Sequence, residues 1–330
     1  MASYVISMLR SQLLTTIPYP EADFSGQTII ISGSNTGLGR EAARHIVRLN
    51  AAKVVLAVRT PSKGDAAAAD IIASCNVPAS RVEVWQLSMS GVASIKAFAK
   101  RASSLDRLDA AILNAGMMTH AWSEIDGMEA HMAVNVIGTL LLHRLLLPVL
   151  ESNARRTGQR GRMTVVGSGL MRTARLADFE TSESIFEKLN HEGNVPIANY
   201  YKNSKLLVYY AVQRAAALSP VPAQSNVILT VQTPGICKSD IFRDDVGVVK
   251  QIGMSAAMTF LARTTEVGGR TLVHAVEPGL SVEAHGEFLV DCQIMSEVPE
   301  LDNEQGRGLA VKWTEELTML LDQIESGQKP

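Results

Sequence analysis

Tyr201 and Lys205 are the two side chains whose types and spacing best suit proton transfer. They are four positions apart, so on a helix both lie on the same face. A phenol with a pKa of about 10 is a poor base at neutral pH, and an ammonium group one turn away favours the phenolate and lowers that pKa. Such a phenol can exchange a proton with a substrate oxygen. Tyr200 is a rival hydroxyl, but Ser204, four positions after it, carries no charge.

Ser168 is a second candidate for the same chemistry. It follows the apolar run Thr164–Val166 and lies between two glycines. A hydroxyl at such a turn can polarise a carbonyl group by donating a hydrogen bond, although an ordinary turn serine fits the same pattern. The triplet GSG lacks the GxSxG pattern of the serine hydrolases, and no Ser-acid-His order accompanies it, so that class is excluded.

A glycine-rich turn between an apolar run and a helical pattern predicts a site for the phosphates of a dinucleotide. Its glycines are spaced GxxxGxG and leave room for a pyrophosphate to approach the backbone. The helix that follows offers unpaired N–H groups and a partial positive charge. The predicted contacts are Gly33, Asn35, Thr36, Gly37, Leu38 and Gly39.

Arg59 ends the second apolar run, and Lys63 follows closely. An acidic side chain at this place usually holds a ribose 2′-hydroxyl, whereas a 2′-phosphate needs a guanidinium. No acid occurs between Arg59 and Asp65. We therefore expect NADP(H) as the cofactor, with a solvated surface arginine as the alternative interpretation of Arg59.

Short apolar runs alternate with helical patterns, which predicts an α/β fold with one doubly wound parallel sheet of the Rossmann type and helices on both faces. No linker interrupts the pattern, so we expect one NADP-binding catalytic domain over residues 25–330. Residues 1–24 are expected to form an extension packed on that domain as a short amphipathic helix, with a membrane-surface anchor as the alternative. Less regular zones near 173–199 and 240–265 are the expected substrate loops. The apolar runs are Thr28–Ser32, Val54–Val58, Val82–Leu87, Ala110–Leu113, Thr164–Val166 and Val227–Val231.

The composition excludes several other classes. The 330 residues carry 31 basic and 33 acidic side chains, which gives no reason to expect a nucleic-acid partner. Three cysteines without CxxC spacing favour a reducing, cytoplasmic compartment, and seven histidines without HExxH or HxxxH pairing indicate no metal site. The Leu-rich run Val134–Leu150 contains His143 and Arg144 and is too short to span a bilayer, so we expect a core helix and no transmembrane segment.

The order of these motifs is typical of one enzyme family. From roughly Phe24 to Cys292 the sequence resembles the short-chain dehydrogenases/reductases. In finer detail it resembles their retinol-dehydrogenase-like branch, especially fungal members tied to secondary metabolism, in fragments such as Glu41–His45 and Ala97–Lys100. The motifs that carry the family resemblance are Gly33-xxx-Gly37-x-Gly39, Asn114-Ala115-Gly116, Asn135, Ser168, Tyr201-xxx-Lys205 and Pro234-Gly235.

The resemblance implies a role in the reaction for each of four residues. Tyr201 would be the acid/base, and Lys205 would lower its pKa and hold the nicotinamide ribose. Ser168 would orient the carbonyl group. Asn135 would support a proton-relay water near Lys205.

The resemblance also implies further cofactor contacts. Asn114, Ala115 and Gly116 would close the adenine side of the site. The nicotinamide would be lined by Pro234, Gly235, Ile236 and Ser239. We interpret Cys237, which lies beside them, as a packed bystander thiol.

Ser88, which follows the third apolar run, would contact the adenine, and Met89 beside it is a further predicted cofactor contact. Ser88 stands where the family has an Asp that accepts a hydrogen bond from the adenine amino group. A serine does so more weakly, so we expect adenine binding to be looser by about 1 kcal/mol.

These residues together predict an NADP(H)-dependent oxidoreductase that interconverts a ketone or aldehyde with an alcohol, with reduction as the expected direction. Apolar residues between Asp240 and Leu261 favour a bulky apolar substrate, such as a polyketide- or terpenoid-derived intermediate or a retinoid- or steroid-like molecule. The alternatives are a redox-neutral isomerase, dehydratase or cyclase on the same scaffold, and a non-catalytic binding protein. Family members often form dimers or tetramers, so a homodimer is one option, and the long C-terminal region leaves a monomer open.

Overall fold

The computed structural model describes residues 2–179, 184–223, 225–238, 241 and 261–328. The first half of the chain contains α1 (Ala2–Leu14), β1 (Thr28–Ser32), α2 (Gly37–Arg48), β2 (Lys53–Val58), α3 (Pro61–Cys75), β3 (Val82–Gln86), α4 (Val92–Ala102), β4 (Ala110–Leu113) and a hairpin of β5 (Glu124–Ile125) and β6 (Met128–Glu129). A π-helical segment, Met132–Gly138, continues directly into α5 (Thr139–Thr157). The second half contains β7 (Gly161–Val166), α6 (Ile185–Leu189), α7 (Ile197–Leu218), β8 (Val227–Thr233), α8 (Thr265–His274), β9 (Phe288–Val290), β10 (Gln293–Met295) and α9 (Glu304–Glu325).

The main sheet has the strand order β10-β9-β8-β7-β4-β1-β2-β3. Every neighbouring pair is parallel except β9 with β10. The predicted parallel sheet is therefore confirmed, with β9 and β10 extending it beyond the predicted strands. Because the parallel strands all run in one direction, the residues that follow them meet at one edge of the sheet.

Two cores cover the two faces of the sheet. In β1, Ile30 packs into one core with residues of α4, α5, α7 and α9, whereas Ile29 and Ile31 pack into the other with residues of α2, α3 and α8. Alternate residues of a strand point to opposite faces, so a continuous apolar run is what a sheet covered on both sides requires.

Helix α5 contains most of the Leu-rich run expected to be a core helix. Residues Met132–Thr157 are long and apolar enough to cross a membrane by length and composition, and most of that segment is buried inside the fold. His143, within it, is buried, and burial lowers its pKa to about 4.

The two expected substrate loops differ in how far the structure describes them. The zone 173–199 contains short 3₁₀ turns and α6, apart from residues 180–183, which lie outside the described residues. In the zone 240–265 only Ile241 and residues 261–265 are described.

Candidate functional site

A cavity of about 620 Å³ lies at the edge where the parallel strands end. Residues far apart in sequence line it because each follows a different strand of the sheet. In the order β2, β1, β4, β7 and β8, these residues are Arg59, Gly33, Asn114, Ser168 and Pro234. The structure thus brings the glycine-rich turn and Arg59 into one crevice with Ser168, Tyr201 and Lys205, the three residues that we call the reacting group.

The glycine-rich turn forms one end of the cavity and leads into α2. Gly37 has a φ of +58°, and no atom lies within 4 Å of where its β-carbon would be. A β-carbon at Gly39 would lie 2.6 Å from Asn114 Nδ2 and 2.7 Å from Gly33 O. Gly37 therefore keeps the left-handed turn and the cradle open, and Gly39 allows the turn to pack against the end of β4.

Asn114 fixes the shape of this turn from the neighbouring strand. Its Nδ2 donates to Ser32 O and to Gly33 O, both at 3.0 Å, and the backbone N–H of Ala115 donates to Ser32 Oγ at 3.0 Å. Asn114, Ala115 and Gly116 all line the cavity. Ser32 at the end of β1 and Gly33 after it thus hold this side of the site in place.

Arg59 and Lys63 lie at the exposed rim of the cavity, at the end of β2 and in the first turn of α3. Asn35 and Thr36 line the same region. Neither Arg59 nor Lys63 makes a salt bridge within the part of the chain that the structure describes. Both cations are available to an anionic group that enters the cavity.

Ser88 and Met89 line the cavity after β3. The backbone N–H of Ser88 donates to Ser94 Oγ at 2.9 Å, and Ser88 Oγ lies 3.2 Å from Ser90 Oγ. Ser88 therefore places a hydroxyl at the position where the family pattern has a carboxylate.

Tyr201 is buried in α7 and lines the cavity together with Ser168. Burial raises the pKa of Tyr201 to about 12, and the nearby Tyr4 phenol also raises it, while a hydrogen bond with Ser168 acts to lower it. The expected lowering by Lys205 is therefore not found in the protein alone. The phenol is protonated at neutral pH, which is the form that can donate a proton.

The surroundings of Lys205 explain why it does not lower the pKa of Tyr201 as expected. Its Nζ lies 5.8 Å from the centre of the Tyr201 ring and donates to Val166 O at 2.8 Å. Burial lowers the pKa of this ammonium to about 8. The sequence argument counted the positive charge but not the burial of both groups, and burial disfavours the charged form of each.

Tyr200, the rival hydroxyl, does not line this cavity. Its hydroxyl donates to His191 O at 3.1 Å, and its ring packs edge-on against Trp122. Helix α7 thus turns Tyr201 into the cavity and Tyr200 away from it.

Asn135 lies in the π-helical segment before α5 and is buried. Its Oδ1 accepts from Met117 N at 2.9 Å, and its Nδ2 donates to Met117 O at 2.9 Å and to Ser204 Oγ at 3.1 Å. Asn135 is not among the cavity-lining residues, and its side chain ties the segment after β4 to α7. The side-chain amide is thus engaged by Met117 and Ser204, and the relay role of Asn135 stays a prediction.

The loop after β8 supplies Pro234, Gly235 and Ile236 to the cavity. Ser239, the remaining predicted contact of this loop, lies outside the described residues. Cys237 is buried, its Sγ lies 3.4 Å from Pro234 O, and burial raises the pKa of the thiol to about 12. This thiol is protonated at neutral pH, as expected of a packed side chain.

Helix α1 contributes residues that the sequence did not point to. Tyr4, Ser7, Met8, Ser11 and Gln12 line the cavity. The spacing of apolar residues predicted a helix here, but nothing in the pattern indicated that this face would reach the site. Arg172, from the 3₁₀ turn after Ser168, lines the cavity as well.

The residues present fit a dinucleotide. The cavity runs from the two rim cations, past the open β-carbon position of Gly37 at the start of α2, to Tyr201 and Lys205. The side chain of Thr36 does not cap α2, so the first-turn N–H groups can face a phosphate.

Comparison with known proteins places the chain in a family. A family model described as short chain dehydrogenase matches residues 27–179. The chain is 35% identical to the short chain dehydrogenase/reductase dmxR8 of Cryptosporiopsis sp. (strain 8999), over 98% of both chains. It is 37% identical to the short chain dehydrogenase FGM9 of Gibberella zeae, over 97% of this chain and 92% of that protein. The chain belongs to the short-chain dehydrogenase/reductase family, whose members are oxidoreductases acting on CH–OH and C=O groups with NAD(H) or NADP(H). The predicted family and its fungal relatives are thus confirmed.

Solved structures show the same fold at low sequence identity. One is a 3-oxoacyl (acyl-carrier-protein) reductase of Agrobacterium tumefaciens C58 with NADP bound, with a TM-score of 0.60 and 19% identity, covering 81% of this chain and 93% of that one. Another is a 7α-hydroxysteroid dehydrogenase complexed with NADH and 7-oxo glycochenodeoxycholic acid, with a TM-score of 0.60 and 16% identity, covering 84% and 98%.

Proposed function

We propose that the protein is an NADP(H)-dependent reductase that converts a ketone or aldehyde on a bulky apolar substrate into an alcohol. The observation that carries this proposal is the shared cavity: the glycine cradle, the rim cations and the Ser168–Tyr201–Lys205 group all line it. Dinucleotide binding and proton transfer can therefore occur in one crevice.

In the proposed reaction Tyr201 is the acid. Bound NADPH would supply the hydride that the carbonyl carbon receives. Ser168, already hydrogen-bonded with Tyr201, would hold the carbonyl oxygen, and the protonated phenol would donate its proton to that oxygen. The ammonium of Lys205 would stabilise the phenolate left behind until solvent reprotonates it.

The preference for NADP(H) rests on Arg59 and Lys63. Two cations without a salt bridge in the described chain face the cavity at the end of β2, where a ribose 2′-phosphate would lie. A guanidinium binds phosphate bidentately, whereas a 2′-hydroxyl needs an acceptor that Arg59 cannot offer.

The proposed substrate class rests on the apolar lining of the other end of the cavity. Met8, Met118, Leu170, Ile241 and Val290 line it. A polycyclic or polyketide-like ketone fits such a surface, and one structural neighbour holds a bile-acid derivative. We place this reaction in the biosynthesis of a secondary metabolite, in the cytoplasm, on a small-molecule substrate.

The test begins with titration of the purified protein by NADPH and NADH, followed by a panel of apolar ketones and aldehydes. We expect tighter binding of NADPH and stoichiometric oxidation of NADPH with at least one carbonyl compound. Tyr201→Phe should lose at least about 100-fold in rate, the lower end for general acid catalysis. Tyr200→Phe, its neighbour outside the cavity, should stay within about twofold of the wild type.

Other outcomes would replace the proposal. Turnover without net NADPH oxidation would identify a redox-neutral isomerase, dehydratase or cyclase. Undiminished biological activity of Tyr201→Phe would identify a binding protein.

A further inference from the structure

Helix α1 lies across the ends of β7, β8 and β9. Ser11 Oγ donates to Asp291 Oδ1 at 2.9 Å, and Arg263 Nη2 donates to Ser11 O at 2.8 Å. The Arg263 guanidinium also pairs with Asp291 at 2.8 Å, in a mostly buried position. The helix is therefore fixed to the sheet edge by a charge-assisted network rather than by apolar packing.

Gln12 adds a second attachment, at the loop that lines the cavity. With its amide oriented so that both side-chain atoms find partners, its nitrogen donates to Ile236 O at 3.1 Å and to Leu261 O at 3.0 Å, and its oxygen accepts from Ile236 N at 3.1 Å. Three hydrogen bonds from one side chain set the position of α1 relative to the reacting group.

These attachments place the hydroxyl of Tyr4 beside the reacting group. A β-carbon at Gly169, the residue next to Ser168, would lie 3.2 Å from the Tyr4 hydroxyl oxygen, so any larger residue there would press against the phenol. Tyr4 also lies near enough to Tyr201 to influence its ionisation. The two phenols therefore enter the same part of the cavity from different elements.

Arg172 packs over the Tyr4 ring. Its guanidinium lies 5.3 Å from the centre of that ring, and Glu300 holds it through Nε at 3.2 Å and Nη2 at 2.7 Å. A cation over a ring face favours this packing. The ring is thus fixed by Arg172 and Gly169, and its position does not depend on the hydroxyl.

The Tyr4 hydroxyl itself has no hydrogen-bond partner within residues 2–179, 184–223, 225–238, 241 and 261–328. The side chain is half-buried and lines the cavity, with Gly169, Tyr201 and Arg172 near it. A phenol kept in such a place without a partner is suited to hydrogen-bond a ligand.

We propose that α1 is a wall of the substrate site and that Tyr4 determines specificity by donating a hydrogen bond to a second oxygen atom of the apolar carbonyl substrate. This inference rests on the proposed function and narrows its substrate class. The preferred substrates carry a hydroxyl or carbonyl oxygen in addition to the carbonyl group that is reduced.

The test compares Tyr4→Phe with the wild type on matched probes. The probes are β-tetralone and its monohydroxylated derivatives, which differ only in the second oxygen. Tyr4→Phe keeps the ring against Arg172 and removes only the hydroxyl. Tyr19→Phe is the control, because Tyr19 belongs to the same N-terminal region but packs outside the cavity against His45 and Arg48.

We expect the wild type to prefer at least one hydroxylated probe, and Tyr4→Phe to lose about tenfold in kcat/KM on that probe, as for one hydrogen bond. Its kcat/KM on β-tetralone and its affinity for NADPH should stay within twofold, and Tyr19→Phe should match the wild type throughout. Equal losses on both probes, or no loss on either, would overturn the inference while leaving the reductase function intact.

A binding measurement separates the inference from the proposed function. If the probes bind the NADP⁺-loaded protein but the NADPH-loaded protein reduces none of them, the reductase proposal fails, and the same tenfold difference in Kd between the variants supports the role of Tyr4. If no hydroxylated probe binds, or if Tyr4→Phe binds them as the wild type does, the role of Tyr4 is rejected.

Discussion

The ammonium of Lys205 donates to Val166 O at 2.8 Å and lies 5.8 Å from the centre of the Tyr201 ring. Both groups are buried, and burial moves their pKa values in opposite directions, to about 8 for the lysine and about 12 for the phenol. Over most of the neutral range the pair is therefore a neutral phenol beside a cation, which is the arrangement that carbonyl reduction needs.

The first prediction concerns the pH dependence of reduction. Lys205 has a lowered pKa, so its charge is present below about pH 8 and is lost above it, while Tyr201 stays protonated up to about pH 12. We expect kcat/KM for reduction to be flat below pH 7 and to fall as the pH rises through about 8. Lys205→Arg keeps its charge, so any activity it retains should not show this fall. A wild-type profile that stays flat to pH 10 would contradict the assignment.

The second prediction concerns stability. Lowering the pKa of Lys205 from 10.5 to about 8 means that folding disfavours the charged lysine by about 3 kcal/mol at neutral pH. Lys205→Met removes this penalty but leaves Val166 O without its hydrogen bond, which costs about 1 kcal/mol. At pH 7 we expect the inactive variant to have a free energy of unfolding about 2 kcal/mol above that of the wild type.

Denaturant titrations at several pH values check whether the buried charge of Lys205 causes this difference in the free energy of unfolding. The penalty is fully present below pH 8 and is relieved as the pH rises toward 10.5, because the unfolded chain then also loses the proton. The advantage of Lys205→Met should accordingly vanish between pH 8 and 10.5. An advantage that does not change with pH would mean that packing, not charge, causes it.

The sequence predicts the strands, the glycine turn and the helix that form the site well, because local backbone constraints determine them. The apolar runs at Thr28–Ser32 and Val54–Val58 become strands covered on both faces, and the glycine turn follows the first of them. The spacing of Tyr201 and Lys205 alone places both on one side of α7. These features depend on local periodicity, which a single sequence displays.

Helix α1 shows why the remainder could not be predicted. Its apolar residues Ile6 and Leu13 are 68% and 58% exposed, while Ser11 and Gln12 face the sheet edge. The usual rule, that the apolar side of a helix packs inward, selects the opposite face. The polar partners that reverse the rule, Arg263 and Asp291, lie some 250 residues or more further along the chain, so periodicity carries no information about them. The same holds for the burial that moves the pKa of Tyr201.

The third prediction contrasts two glycines of the cradle. Alanine at Gly37 meets open space but adopts a left-handed backbone, which costs about 1–2 kcal/mol. We expect Gly37→Ala to stay folded and to lose at least about tenfold in NADPH affinity, because its methyl group enters the phosphate cradle. Isothermal titration and thermal unfolding together measure both effects.

Gly39→Ala is the contrasting variant. Its β-carbon would lie 2.6 Å from Asn114 Nδ2, a group fixed by hydrogen bonds to the carbonyls of Ser32 and Gly33. Overpacking of this kind costs about 3 kcal/mol, so we expect a lower melting temperature than for Gly37→Ala. Equal melting temperatures would show that the turn can relax.

The fourth prediction concerns Arg59, which lines the rim of the cavity. Replacing the guanidinium by a carboxylate removes the partner of a 2′-phosphate and adds repulsion. Arg59→Asp should raise the KM for NADPH by at least about tenfold and change that for NADH far less. Steady-state kinetics with both nucleotides check this result. The same change for NADPH and NADH would refute the preference for NADP(H).

The last prediction concerns Ser88, which lines the cavity where we expect the adenine and whose Oγ lies 3.2 Å from Ser90 Oγ. A carboxylate accepts a hydrogen bond from the adenine amino group more strongly than a hydroxyl, by about 1 kcal/mol or about fivefold in Kd. Ser88→Asp should therefore tighten NADPH and NADH by the same factor, since both carry adenine and the 2′-phosphate is not involved. This equality separates Ser88 from Arg59, whose variant discriminates between the two nucleotides. Ser88→Ala gives the opposite control and should weaken both. If Ser88→Asp weakened NADPH alone, its charge would be acting on the 2′-phosphate, and the adenine would lie elsewhere in the crevice.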